Sequence, residues 1–163
     1  MHKRFTTLTG VAAFGLAAAV TLLVGCGTDA PSSSLDLATA SASEHGVTLR
    51  DAWVRMADST GTSAAYGVLL NSNPDSVEIT GASSDMADYV EIHETMQHGD
   101  MVHMMPRGVV AIAAGDSVVM DEGGIHFMLS GLHRALQAGD KLPLVLRLGS
   151  GDSLSIELPV RAP

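Results

Sequence analysis

Cysteine is almost absent from this chain. Cys26 is the single thiol among 163 residues, so no intramolecular disulfide can brace the fold. Basic residues are scarce too: Lys and Arg number 9 against 18 Asp and Glu, a formal net charge of −9. That balance argues against nucleic acid as a partner and against anionic lipid head groups. Aromatic residues make up only 4% of the chain, so the core must rest on Val, Leu, Ile and Ala. At roughly 25 cal/mol per Å² of buried apolar surface, the few rings are then large contributors. Trp53, between Ala52 and Val54, is expected as a core anchor. No long helical period and no internal repeat is present. With no thiol nucleophile in the folded part, no nucleotide-binding loop and no evident Ser-His-Asp arrangement, enzyme activity is not expected.

What is present begins with a targeting pattern. His2, Lys3 and Arg4 make a positive start, a mostly apolar run extends from Leu8 to Val24, and Leu23-Val24-Gly25-Cys26 closes it. That order is the pattern of a secretory signal peptide over residues 1–25. The run is short for a membrane span, which needs about 20 apolar residues; the alternative is an uncleaved anchor helix. Either reading places the remainder outside the cytoplasm. Leu-Val-Gly-Cys resembles the bacterial lipobox, which implies that Cys26 becomes the first mature residue and carries lipid. More than one acyl chain would hold the protein firmly at a membrane. The expectation is an exported, membrane-anchored lipoprotein, periplasmic or otherwise extracytoplasmic. Residues 26–46 are dominated by small and polar side chains and read as a flexible tether spanning roughly 25 Å. The folded domain is then 47–163.

That domain reads as short β-type runs, for example Val47–Met56, Ala64–Asn71, Tyr89–Thr95, Met101–Pro106, Ile125–Leu129 and Leu142–Leu148. Turn signals such as Asn73-Pro74-Asp75, His98-Gly99-Asp100 and Gly139-Asp140 separate them. Many short strands punctuated in this way indicate an all-β sandwich or barrel. Single helical turns are expected at Ser84–Ala87 and Leu132–Gln137.

One segment stands apart. Three histidines (His93, His98, His103) and four methionines (Met96, Met101, Met104, Met105) fall between positions 93 and 105, and Ile125-His126-Phe127-Met128-Leu129 follows. If the latter is a strand, His126 and Met128 share one face, with Cα atoms about 6.6 Å apart, and Phe127 anchors the other. Imidazole with neutral thioether is a soft donor set, which selects Cu(I). Zinc calls for cysteines or more histidines and carboxylates, and calcium for clustered oxygens. A blue-copper centre needs a cysteine thiolate, and Cys26 is too far away along the chain. Strand alternation puts Met101, His103 and Met105 on one face and Met104 on the other, and a one-residue slip would exchange Met105 for Met104.

The spacing of His93, Met104, His126 and Met128 resembles the metal motif of the PCuAC family of periplasmic copper chaperones. Asp51-Ala52-Trp53-Val54-Arg55, Ala64-Ala65-Tyr66, Val90-Glu91-Ile92-His93-Glu94 and Gly123-Gly124-Ile125-His126-Phe127-Met128-Leu129 are similar to the family as well. The resemblance implies a cupredoxin-like Greek-key β-sandwich, with His93, Met104, His126 and Met128 as Cu(I) ligands. It further implies a metallochaperone whose copper acceptor is a cytochrome c oxidase subunit or a Sco-type protein. Met101, His103 and Met105 are then expected as auxiliaries that help pass the ion on. Two competing readings remain: a copper-sequestering resistance lipoprotein, and a metal-free interaction sandwich.

Overall fold

The computed structural model describes residues 38–162, apart from 60 and 100. The expected signal segment, Cys26 and the tether up to residue 37 lie outside the described residues. Within them the regular structure is all strand: β1 (Ala40–Glu44), β2 (Val47–Arg55), β3 (Ser63–Asn71), β4 (Val77–Ser83), β5 (Ala87–His98), β6 (Met101–Pro106), β7 (Val110–Ile112), β8 (Ser117–Met120), β9 (Ile125–Leu132), β10 (Lys141–Leu148) and β11 (Ser153–Arg161). Period-two sequence patterns explain most of these. In β10, Leu142, Leu144, Leu146 and Leu148 are buried, while the intervening Lys141 and Arg147 are exposed. β11 repeats the scheme with Leu154, Ile156, Leu158 and Val160. Such alternation stands a strand between core and solvent.

The strands hydrogen-bond in the order β6-β5-β9-β8-β3-β2-β11-β10-β4-β7, with β1 beside β2 and a further pairing of β9 with β3. Neighbours far apart in sequence mean that the chain crosses over repeatedly, as Greek-key folds do. Leu49, Leu69, Phe127 and Leu129 share one core cluster with Ile79, Leu144 and Leu158 from the far end of that order. The sheet therefore closes over itself as a sandwich around one core.

Three features differ from the sequence expectations. Among the described residues the regular structure begins at Ala40, not near Val47, because β1 pairs with β2 (Glu44↔Val47, Ala42↔Leu49). Ala and Ser have low strand propensity, so this strand is hidden by composition. A tight turn with positive φ at His45 (51°) and Gly46 (72°) closes the hairpin, the backbone that two-residue hairpin loops require. Second, Trp53 is not a core anchor. The β2–β3 register shifts between Arg50 and Trp53, with Asp51 at φ 54°. This bulge inverts the alternation, so Leu49, Ala52 and Val54 all point inward and Trp53 turns to the outer face. There it rests on Tyr66 (ring centres 4.8 Å apart) under the Arg161 guanidinium at 4.3 Å. Third, neither expected helical turn forms: residues 85 and 86 are a plain turn, and Leu136 instead bridges to Ala57.

Candidate metal centre

β9 pairs with β5 on one side and with β3 on the other. Phe127 and Leu129 face the core, 1% and 0% exposed, and this burial sets the orientation of the whole strand. His126 and Met128 consequently point to the opposite face, as alternation requires. The β5–β9 register places His93 directly across from His126 and Glu91 across from Met128. Directly opposed residues lie on the same face, so both histidines and Met128 converge there.

The β5–β6 hairpin brings in the fourth residue expected from the sequence. Its register runs without a slip from His93↔Pro106 through Glu94↔Met105, Thr95↔Met104 and Met96↔His103 to His98↔Met101. Met104 therefore shares the face of Thr95 and His93. Met105, His103 and Met101 occupy the reverse face and are not brought to the cluster. Met104, His126 and Met128 line one small cavity of about 100 Å³, together with Tyr66, Arg55 and Ser63. Arg55 forms an ion pair, 3.8 Å between charged atoms, with Glu122, a further residue of that lining. A larger open hollow of about 630 Å³, lined by His45, residues 73–78, residues 148–150 and Asp152, holds no methionine.

The two imidazoles are well prepared to share an ion. Their ring centres are 6.2 Å apart. A metal–nitrogen bond of about 2.0 Å puts an ion roughly 3 Å from each ring centre, so this spacing admits one ion between them. His126 is 2% exposed, and its Nδ1 lies 3.1 Å from the Gly124 carbonyl. Only an N–H can face a carbonyl oxygen, so Nδ1 donates and the Nε2 lone pair is left free. His93 is 9% exposed; its Nε2 approaches Glu91 Oε2 at 3.4 Å. Its Nδ1 is buried without a hydrogen-bond partner among the described residues. Buried polar atoms are normally satisfied, and an imidazole held by an outer carboxylate with its other nitrogen open is the usual arrangement of a metal ligand.

The surroundings of His126 favour its neutral form. Burial lowers the pKa of His126, assisted by His93 and Arg55, while the Gly124 hydrogen bond opposes. Burial likewise raises the pKa of Tyr66, against the pull of Arg55. Neutral imidazole is the form that binds metal. Among the described residues, no three His, Cys, Asp or Glu side chains converge; beside the His126 imidazole the cavity offers the thioethers of Met104 and Met128. That donor set fits a soft monovalent ion rather than zinc or calcium.

Some of the site was not visible in the sequence. The Tyr66 ring lies 6.2 Å from that of His126, and Glu91 and the Gly124 carbonyl fix the two imidazoles. Glu91 had a readable signal, since it stands two residues before His93 on one strand and so on the same face. Tyr66 and Gly124 stand in stretches similar to the PCuAC family, but only strand pairing and a turn set them against the His126 imidazole.

Comparison with known proteins places these observations. The family model described as "Putative lipoprotein LpqE-like" matches residues 47–160. The "Putative lipoprotein Lxx21020" of Leifsonia xyli subsp. xyli is 32% identical over 140 residues, covering 85% of this chain and 82% of that relative. Among solved structures, the copper-bound PCuAC domain from PmoF2 superposes with a TM-score of 0.64 at 17% identity, over 76% of this chain and 99% of that one. The solution structure of CuI-DR1885 from Deinococcus radiodurans gives a TM-score of 0.54 at 25% identity, over 68% and 76% of the two chains. The fold is thus the cupredoxin-like sandwich of PCuAC domains.

Proposed function

The chain belongs to the LpqE-like lipoprotein family, and from that premise we propose that it is an exported, lipid-anchored carrier of Cu(I), with His93, Met104, His126 and Met128 as ligands. The observation that carries this reading is the pair of imidazoles facing each other across β5 and β9, one with a buried, partnerless Nδ1. The copper named for PmoF2 and DR1885 supports the same reading. In this proposal residues 1–25 are removed, Cys26 carries lipid, and a linker up to β1 holds the sandwich off the membrane.

The proposed mechanism is ligand exchange. His93 and His126 form the buried, oriented half of the site and hold the ion. Met104 is 51% exposed on the edge strand β6 and forms the half that an acceptor reaches first. A donor atom from the acceptor enters on the methionine side before the histidines let go, and no covalent step is needed. The proposed recipient is a copper acceptor of cytochrome c oxidase assembly.

The test is a Cu(I) titration of the whole chain against a chromogenic chelator, beside His126→Ala and Met128→Leu. One tight equivalent is expected, weakened in His126→Ala by more than about 100-fold, beyond the cost of losing an outer-shell partner. Binding indifferent to both changes would overturn the assignment. Oxidase activity in a deletion strain then separates delivery from storage: delivery predicts a deficit that added copper relieves.

A further inference from the structure

Once the four donors of the inner face are assigned, Met96, Met101, His103 and Met105 are left over. The β5–β6 register sets Met96 directly opposite His103. Met101 and Met105 are the alternate neighbours of His103 along β6, so all four stand on one face of the hairpin, reverse to Met104. Directly opposed Cβ atoms lie about 4.5–5.5 Å apart, and alternate residues on a strand about 6.6 Å apart. An ion above the His103 ring is therefore within reach of one thioether across the hairpin and one on either side along the strand. Methionine has three rotatable bonds with which to adapt.

Packing does not account for these side chains. Met96, Met101 and Met105 are 40%, 62% and 53% exposed, whereas a methionine that fills the core is covered, as Met120 is at 2%. Edge strands usually carry lysine, other charges or short length to prevent stray pairing. β6, with the sequence Met-Val-His-Met-Met-Pro, has no formal charge and is exposed along its whole length. Arg107, the residue after the strand, is neutralised by Glu94 at 2.6 Å, and Glu94 pairs with Met105 at the border of the cluster. Three neutral sulfurs and an imidazole beside a compensated charge pair form a soft, uncharged donor set.

We propose that the reverse face of the β5–β6 hairpin, built from Met96, Met101, His103 and Met105, is a second binding site for a soft d10 monovalent cation, namely Cu(I). It stands on different side chains from the inner site and goes beyond the single-ion reading given above. Its donors are exposed and have no outer-shell hydrogen bonds among the described residues, so it binds more weakly than the inner site, by about 100-fold or more, because its side chains must be ordered on binding. Only the thickness of one strand separates Met105 from Met104. An ion on the reverse face is thus a short step from the carrier site, around an edge that nothing covers among the described residues.

The experiment is a titration of the whole chain, carrying ¹³C-methyl methionine, with Ag(I) as a redox-inert d10 probe and then with Cu(I). The first equivalent is expected to shift the ε-methyl signals of Met104 and Met128, and the second those of Met96, Met101 and Met105. Met120 serves as a buried control. Met96→Leu with His103→Ala should abolish the second response and keep the first; His126→Ala with Met128→Leu should do the reverse. A failure of the inner site alone would leave the Met96, Met101 and Met105 shifts in place, so the two ideas fail separately. If those three signals stay still beyond the first equivalent, or a second equivalent persists in the Met96/His103 variant, the proposal is overturned. Methyl spectra of the unloaded variants check that the sandwich is intact.

Discussion

β6 and β9 carry the same short pattern. His103-Met104-Met105 and His126-Phe127-Met128 each place a histidine and a methionine two residues apart, which on a strand gives them a common face. Their surroundings differ. β9 is flanked by β5 and β3, and its central Phe127 is buried in the core; among the described residues β6 pairs with β5 alone and is exposed throughout. His126 consequently acquires a fixed tautomer from the Gly124 carbonyl, a second imidazole at 6.2 Å and a dry environment. His103 acquires none of these. The contrast teaches that an identical pattern makes a prepared site only where tertiary neighbours remove water and orient the donors.

The contrast can be broken most severely at its anchor. Phe127→Ala should destabilise the fold by about 3–5 kcal/mol, the usual cost of emptying an aromatic core position. Met105→Leu, on the exposed strand, should stay within about 0.5 kcal/mol. Denaturant unfolding of the two variants measures both, and comparable losses would mean that β9 is not the better-anchored strand.

A smaller effect separates adjacent methionines. Met104→Leu should weaken the tight Cu(I) equivalent by about tenfold, roughly 1.4 kcal/mol, while Met105→Leu leaves that equivalent unchanged. Chelator competition reads the difference. Equal losses in both variants would point to a register slip in β6.

The smallest expected effect is on the metal-free protein. Because burial lowers the His126 pKa, the unfolded chain takes up a proton near the ordinary histidine value of about 6.5, before the folded chain does. Stability is therefore complete above that pH and falls as pH drops through the window toward the lowered value. Melting temperatures between about pH 7.5 and pH 5 should show this slope in the native sequence and in His103→Ala, and a reduced slope in His126→Leu. A slope unchanged in His126→Leu would assign it to another group.

Much of this was legible beforehand. The Leu-Pro-Leu-Val-Leu run of β10 and the Gly123-Gly124 turn before β9 announce themselves by alternation and by turn residues. The spacing of His93, Met104, His126 and Met128 was likewise on the page, as was the outward-facing pair of His126 and Met128. What escaped was of another kind. β1 is written in Ala and Ser, which carry no strand signal. Trp53 looked like a core residue until the bulge at Asp51 reversed its face. Tyr66, adjacent to His126 in space, is sixty positions away in sequence.

By itself, then, the sequence determined the chemical kinds of donor, their parity along each strand and the all-β class, because side-chain softness and two-residue periodicity are local properties. Only the tertiary structure decided which histidine meets which, which methionine joins them and which of two equal patterns is sheltered from water. Register and burial depend on pairings between strands distant in the chain, and no local pattern encodes them.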